Sequence, residues 1–168
     1  MTGDGKSGAG GAVMREYSFI GKLIFNGKWE KSVCPLGVMK SGHLTYDFDP
    51  ATVGMDTGLV DCNNNPIYEG HIVKCKHSFY ISASMLEEDK VKNPRNSYGK
   101  EYIKTEFGNY LCIYWRNYAV SFRDGSVRIQ NGSDVKYIKS SFVRNHGVEV
   151  IGNIHDNPEL LKGEEENA

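Results

Sequence analysis

The feature that most constrains the fold is the alternation of apolar and polar residues on both sides of Asp124-Gly125. Asp-Gly is favoured in two-residue β-hairpin loops, because both loop positions need positive φ. A two-residue loop here pairs Phe122 with Val127 and Val120 with Ile129, so one face of the hairpin is apolar. We therefore predict a β-hairpin that packs this face on a core.

A second hairpin signal, Asn26-Gly27, lies near the start of the chain. A two-residue loop at this position sets Ile24 opposite Trp29 and Ile20 opposite Val33. The four side chains then share one face, which predicts an N-terminal hairpin with one buried side.

Two more hairpins are predicted, at Ser41-Gly42 and at Asn131-Gly132. A two-residue Asn131-Gly132 loop would set Ile129 opposite an aspartate. A three-residue loop that includes Ser133, with the glycine left-handed, pairs Ile129 with Val135 instead. We predict the three-residue loop, because both strands then present apolar side chains to the same face.

The composition is typical of one ordinary β-rich unit. The chain has 168 residues, of which 39% are hydrophobic and 11% aromatic, and it has 19 glycines against 5 prolines. Many short strands joined by tight turns fit these values better than a helical bundle.

There is no apolar run of about 18 residues and no signal peptide, so we predict no membrane association and a cytoplasmic location. The four cysteines contain no Cys-x-x-Cys pair, which predicts free thiols.

The charge is unevenly distributed, although the formal net charge is only −1. Residues 70–148 contain 13 Lys and Arg against 7 Asp and Glu, a net of +6, whereas residues 149–168 contain 1 against 6, a net of −5. The basic middle of the chain is compatible with an anionic partner such as nucleic acid, and also with an ordinary solvated surface.

Three segments are too polar or too glycine-rich to pack. Residues 1–13 are predicted to be a disordered leader, residues 164–168 a disordered tail, and residues 85–101 an exposed loop with at most one helical turn. Asn157, followed by Pro158 and an acidic residue, predicts a short C-terminal helix that begins after an Asn cap.

Aromatic and arginine side chains concentrate on the longest predicted strand and on the hairpin that follows it. Aromatic faces stack on bases and guanidinium groups contact phosphates, which predicts a nucleic-acid-binding face. Trp115 is excluded from this set, because it alternates with Leu111 and Ile113 on an apolar face. The candidate binding residues are Tyr114, Arg116, Tyr118, Arg123 and Arg128.

Metal binding and catalysis have weaker support. A strand over residues 71–77 would place His71, Cys75 and His77 on one face, with Cys62 nearby, and such side chains can bind zinc. Zinc motifs bring a close pair of ligands from each half of the site, and the second pair is undefined here, so we predict no metal and no cofactor. No thiol, histidine or carboxylate pair has a context that identifies a nucleophile or a base, so we predict no catalytic residues.

Two blocks of the sequence together resemble the YopX family of small phage and prophage proteins. Residues 57–73, TGLVDCNNNPIYEGHIV, are similar without a gap to the family's block Thr-Gly-Leu-x-Asp-x-Asn-Gly-x-x-Ile-Tyr-Glu-Gly-Asp-Ile-Val. Residues 148–161, VEVIGNIHDNPELL, are similar to its second signature. Asn64 stands where the family has glycine, which a left-handed turn tolerates, and His71 stands where the family has aspartate.

The resemblance implies a mainly β protein with an SH3-like β-roll or barrel over residues 55–163, interrupted by the 85–101 loop. It also implies an N-terminal β subdomain over residues 14–54. It implies no known reaction. We therefore expect a phage or prophage accessory protein that acts as a non-catalytic protein-interaction module, through the loop or an exposed strand edge, with a phage or host protein as its partner. The alternative is a nucleic-acid-binding module.

Overall fold

The computed structural model describes residues 17–92 and 100–162, so the predicted leader and tail lie outside the described residues. Helix α1 spans Ala83–Lys92 and helix α2 spans Ser140–His146, and short 3-10 helices cover Pro50–Thr52 and Pro158–Leu161. The strands are β1 (Phe19–Lys22), β2 (Trp29–Ser32), β3 (Gly37–Lys40), β4 (His43–Asp47), β5 (Gly54–Val60), β6 (Pro66–Tyr68), β7 (His71–Ile81), β8 (Glu101–Lys104), β9 (Tyr110–Arg123), β10 (Ser126–Asn131), β11 (Asp134–Tyr137) and β12 (Glu149–Asn153).

The chain is mainly β, as predicted, and its sheets are antiparallel and open. The main sheet has the order β11-β10-β9-β7-β12, with β8 added beside β9. A four-stranded N-terminal sheet has the order β2-β1-β5-β6, and β3 pairs only with β4. Within the described residues no strand pair closes β11 onto β12, so the SH3-like roll stays a prediction.

The hairpin around Asp124-Gly125 has the predicted register. Phe122 lies opposite Val127 and Val120 lies opposite Ile129. Both loop residues have positive φ, 51° and 73°. Val120, Val127 and Ile129 are buried in the main core, which also contains residues of β7 and α2. The alternation in the sequence was therefore sufficient to identify this hairpin.

The next hairpin differs from the prediction by one residue. Asn131 pairs with Asp134 and Ile129 pairs with Lys136, so the loop is Gly132-Ser133 and not three residues long. Gly132 is left-handed, as predicted, with a φ of 58°. A one-residue shift moves every side chain of a strand to the other face. Asp134 and Lys136 therefore face the core side, and Val135 on β11 faces outward.

The N-terminal hairpin also has another register. Ile20 lies opposite Lys31, not opposite Val33, and residues 23–28 connect the two strands. Leu23 is buried and bridges to Phe48, so it occupies the core position that the prediction gave to its neighbour Ile24. Ile24 and Val33 are left 66% and 60% exposed. The predicted hairpin at Ser41-Gly42 is confirmed, with φ of 50° and 79° in its loop.

The segment 85–101 is only partly the loop that we predicted. Its first residues continue α1, which begins at Ala83, and its last residue begins β8. Leu86 is buried, and its amide donates to the carbonyl oxygen of Ser82 in the first turn of the helix. Residues 93–99 lie outside the described part of the chain.

The sequence did not predict helix α2, and it predicted a cap at Asn157 that its side chain does not form. The missed helix, α2, has Val143 buried and ends at Gly147, which is left-handed and donates to the carbonyl oxygen of Val143. The predicted C-terminal helix is present as one 3-10 turn, but the Asn157 side chain does not cap it. Its Oδ1 instead accepts a hydrogen bond from the amide of Asn153. None of the helices in the described residues is long and apolar enough to cross a membrane.

Candidate functional sites

A polar and aromatic group surrounds Tyr118 on the core side of the main sheet. Antiparallel partners share a face, so the pairs His77 with Tyr114 and Cys75 with Arg116 lie on the same face as Tyr118. The register of β11 adds two charged side chains to that face. We call this group the Tyr118 cluster; its members are His77, Tyr114, Arg116, Tyr118, Asp134 and Lys136.

Hydrogen bonds connect the centre of the Tyr118 cluster. The hydroxyl of Tyr118 donates to Oδ2 of Asp134 over 2.9 Å, and it lies 3.0 Å from Nε2 of His77. Because the hydroxyl proton goes to Asp134, the hydroxyl oxygen accepts from Nε2–H of His77. Arg116 and Lys136 both form ion pairs with Asp134. Two cations therefore share one carboxylate.

Burial and this excess of positive charge shift the pKa values in the cluster. Burial, then Lys136 and His146, lower the pKa of His77 to about 4, so its ring is neutral at pH 7. Burial, then the hydrogen bond to Asp134, raise the pKa of Tyr118 far above its ordinary value. The Lys136 hydrogen bond is the main cause that lowers the pKa of Asp134. With its phenol fully buried, the cluster fits a structural role better than proton transfer to a substrate.

The five predicted binding residues do not form one surface. Tyr114 and Arg116 share the core side of β9 with Tyr118, which is buried where we expected exposure. Arg123 and Arg128 lie on the opposite side, where Nε of Arg128 donates to Oγ of Ser121 over 3.0 Å. Side chains alternate without interruption along β9, so the three residues on the core side and the two arginines point to opposite sides of the sheet.

Trp115 is not the core residue that we predicted. It is 46% exposed, on the same side of the sheet as Arg123, and Nζ of Lys74 lies 5.0 Å from its ring centroid.

The prediction also gave the side chains of Asp134–Tyr137 the wrong facing. The residues of this strand alternate polar and apolar in either register, so the pattern could not indicate that Asp134 and Lys136 turn toward Tyr118.

The β3–β4 hairpin forms a second candidate site, which the sequence did not predict. All five residues of β4 are exposed, and the hairpin presents apolar side chains on both of its faces. The Phe25 and Tyr46 rings contact each other at a centroid distance of 4.8 Å. We call this area the hairpin surface; its residues are Ile24, Phe25, Leu36, Met39, Leu44 and Tyr46.

A third candidate is a cavity of about 250 Å³ between the N-terminal sheet and the main sheet. Trp29 and His155 form an aromatic wall, with ring centroids 6.0 Å apart. A Cβ on Gly54 would lie 2.1 Å from the carbonyl oxygen of Glu69, so only glycine lets β5 pass this close to the backbone of Glu69, a lining residue of the cavity. We call it the junction pocket; its lining residues include Ile20, Trp29, Glu69, His71, Val150 and His155.

The described residues contain no group of three or more His, Cys, Asp and Glu side chains that could hold a metal ion. His71 is not free to join a zinc site through Nδ1, because that atom accepts a hydrogen bond from the Tyr68 amide over 3.3 Å. Cys75 is buried and its pKa is raised to about 12, mainly by burial, so it is a poor thiolate ligand at neutral pH.

Comparison with protein families identifies a family for this chain. The model of the YopX protein family matches residues 28–162, most of the chain. The chain belongs to the YopX family. No curated protein matches this YopX-family chain at a significant level.

The two YopX-like blocks meet in the structure. Oδ1 of Asp61 accepts from the amides of Asn63 and Asn65, each over 2.8 Å, and Oδ2 accepts from the amide of Val150 over 3.0 Å. Asn64, in the YopX glycine position, is left-handed with a φ of 64°. One buried carboxylate thus holds the first block against the strand of the second. The junction pocket lies beside this contact and takes residues from both blocks.

Proposed function

We propose that this YopX-family chain is a non-catalytic protein-interaction module of a phage or prophage, acting inside the bacterial host cell. Its docking surface is the hairpin surface, and its partner is a different protein of the phage or host. The single observation that carries the proposal is that β4 is exposed along its whole length. A docking role of this kind fits the SH3-like roll that we propose for residues 55–163.

The energetics of the hairpin support this role. An isolated two-stranded hairpin is marginally stable in water, and β3–β4 adds no third strand. Several exposed apolar side chains on one small element, two of them in mutual contact, are typical of docking sites. Phe25 and Tyr46 are already in contact, so a partner meets an ordered aromatic pair and loses little conformational entropy.

A photo-crosslinking amino acid in place of Tyr46 tests the proposal. Tyr137, which is 66% exposed on β11, is the matched control position. A partner crosslinked only from position 46 is identified, purified and titrated by calorimetry with the unchanged protein and with Y46S. We expect Y46S to weaken binding at least about tenfold, as for an aromatic interface anchor. Equal binding by Y46S, or crosslinks only between copies of the chain, would overturn the proposal.

Nucleic-acid binding is a second proposal, favoured by the exposed Trp115 with Lys74 over its ring. It uses the outer side of the main sheet, with Arg123 and Arg128, and not Tyr118. It ranks second because the side chain of Asn117, on the same side of β9 as Trp115, donates to the carbonyl oxygen of Leu160, so the C-terminal 3-10 turn covers part of this face.

Fluorescence anisotropy with labelled single- and double-stranded oligonucleotides at two salt concentrations tests it. Binding that weakens steeply with salt, and that W115A and R123A reduce while Y114F does not, supports it. Binding that Y114F reduces as much would place the nucleic acid elsewhere.

A further inference from the structure

The junction pocket is partly open to solvent and is large enough for one side chain. Its volume is about 250 Å³. Trp29 and His155 supply an aromatic wall, and Ile20 and Val150 are among its apolar lining residues. Pockets at the junction of two sheets, apolar with few polar groups, are typical ligand sites.

Glu69 gives the pocket its polarity. Glu69 is half-buried, and within the described part of the chain its carboxylate accepts one hydrogen bond, from the amide of Phe122 to Oε1 over 3.3 Å. Among residues 17–92 and 100–162, no cation forms an ion pair with it. A carboxylate that lines a pocket and has no protein cation paired with it is electrostatically complementary to a ligand with a positive group.

The neighbouring charges leave this carboxylate uncompensated. Asp156 is already neutralised, because Lys22 forms an ion pair with it and Nε1 of Trp29 donates to it over 2.6 Å. Nζ of Lys22 also lies 5.5 Å from the centroid of the Trp29 ring, so a guanidinium group must stack on the part of the ring that Lys22 leaves open. His71 adds no positive charge at pH 7, since burial lowers its pKa. Lys31 is exposed to solvent, with Nζ over the Tyr68 ring. Its charge reaches the pocket, where it also lowers the pKa of His71, but among the described residues it forms no ion pair with Glu69.

We propose that the junction pocket binds a planar organic cation of the guanidinium type, presented as an arginine side chain by the partner protein. A guanidinium group stacks on Trp29 and donates to the Glu69 oxygen that is not bonded to Phe122, which an ammonium group cannot do in one plane. The claim that a partner protein supplies the arginine rests on the proposed function. The claim that the pocket binds a guanidinium group does not. The pocket and the hairpin surface have no residue in common, so either can fail alone.

Two-dimensional ¹⁵N NMR of the tryptophan indole groups tests the inference in one sample. The chain has two tryptophans, Trp29 in the pocket and Trp115 on the main sheet, so the Trp115 signal is an internal control. The probes are a capped Ala-Ala-Arg-Ala-Ala peptide, the same peptide with citrulline or lysine, and methylguanidinium chloride. Citrulline is the decisive comparison, because it matches arginine in shape but is neutral.

We expect the arginine peptide to shift the Trp29 signal saturably, at roughly millimolar concentration, and to leave Trp115 unchanged. The citrulline and lysine peptides should bind at least about tenfold more weakly. E69Q keeps the acceptor for the Phe122 amide and loses the charge, so it should weaken arginine binding by a similar factor and leave citrulline binding unchanged. Thermal unfolding of E69Q checks that the fold is intact.

Equal binding of citrulline and arginine, or an unchanged affinity in E69Q, would overturn the cation assignment. Methylguanidinium that binds as tightly as the peptide would assign the pocket to a free small cation and overturn the side-chain source. Y46S separates this inference from the proposed function. In Y46S the arginine peptide should still shift the Trp29 signal, even if the variant no longer binds the partner protein. A variant that loses both the Trp29 shift and partner binding would show that the two sites are not independent.

Discussion

The hydroxyl of Tyr118, on β9, donates a hydrogen bond over 2.9 Å to Asp134, on β11, a carboxylate that also pairs with Arg116 and Lys136. The pair exists because the β10–β11 register turns Asp134 toward the core side of the sheet. It gives the hydroxyl of a fully buried tyrosine a charged acceptor, in addition to its contact with His77. We infer that this contact stabilises the one-residue shift against the more apolar pairing that the sequence favours.

Y118F should reduce the free energy of unfolding by about 1–2 kcal/mol, because it removes the donor to Asp134 and the acceptor for His77 in a buried position. Y114F is the matched control. Tyr114 lies on the same strand and face, and its ring stacks on His77, so loss of its hydroxyl should cost less than about 0.5 kcal/mol. Urea unfolding followed by tryptophan fluorescence compares the two. Equal losses would contradict the role of the buried hydroxyl.

Acidification should destabilise the protein through His77, which is only 8% exposed. Burial lowers its pKa to about 4 in the folded protein, whereas the unfolded value is near 6.5. Between these two pH values the unfolded chain binds more protons, so the free energy of unfolding falls as the pH is lowered from 6.5 to 4, by at most about 3 kcal/mol. Below pH 4 this contribution stays constant.

Urea unfolding from pH 4 to 7 measures this effect. H77Q should lose most of the pH dependence, while the control H43Q, at an exposed position, should keep it. His71 leaves a smaller dependence of the same sign in H77Q, because burial also lowers its pKa. A wild-type dependence in H77Q would show that another group causes it.

D61A should be among the most destabilising single substitutions, at about 3 kcal/mol. Asp61 is buried, and its carboxylate accepts from the amides of Asn63, Asn65 and Val150, all of which lose their partner in the variant. D47A is the control, since Asp47 is exposed on β4, and should change the free energy of unfolding by less than about 0.5 kcal/mol. Denaturant unfolding measures both, and a D61A loss as small as that of D47A would contradict the anchoring role.

The cysteines should differ in reactivity toward a disulfide reagent at pH 8. Cys62 is exposed and should react in the folded protein, whereas Cys75 is buried, with a pKa of about 12, and should react only after unfolding. C62S should therefore abolish the fastest phase, and C75S should leave it unchanged. Loss of the fastest phase in C75S would show that β7 opens more readily than its burial implies.

Sequence reasoning succeeded where one local signal allowed one arrangement. Asp124-Gly125 and Ser41-Gly42 identified their hairpins, because loop residues with positive φ leave few alternatives. It failed at Asn26-Gly27, where Leu23 and Ile24 are neighbours and either can fill the core. Leu23 does so through its contact with Phe48, a residue far along the chain.

The candidate sites were less predictable than the strands. Residue type drew attention to Tyr114 and Arg116 as members of a nucleic-acid-binding face, which stays a prediction. It gave no indication of Asp134, Lys136 or the residues of the junction pocket. Those residues become neighbours only when separate strands pair or separate sheets meet. Trp115 illustrates the same limit, because an aromatic residue within an apolar pattern gives no indication that its own side of the sheet faces solvent at that position.

By itself the sequence determined that the chain forms antiparallel hairpins, where the tight turns lie, and that two blocks resemble the YopX family. Only the tertiary structure decided which face of β11 turns inward, which loop residue near Asn26 is buried, and that Glu69 and Trp29 share a pocket. The physical reason is that turn geometry and alternation are properties of adjacent residues. Register and pocket formation depend instead on which distant side chains compete for the same buried space.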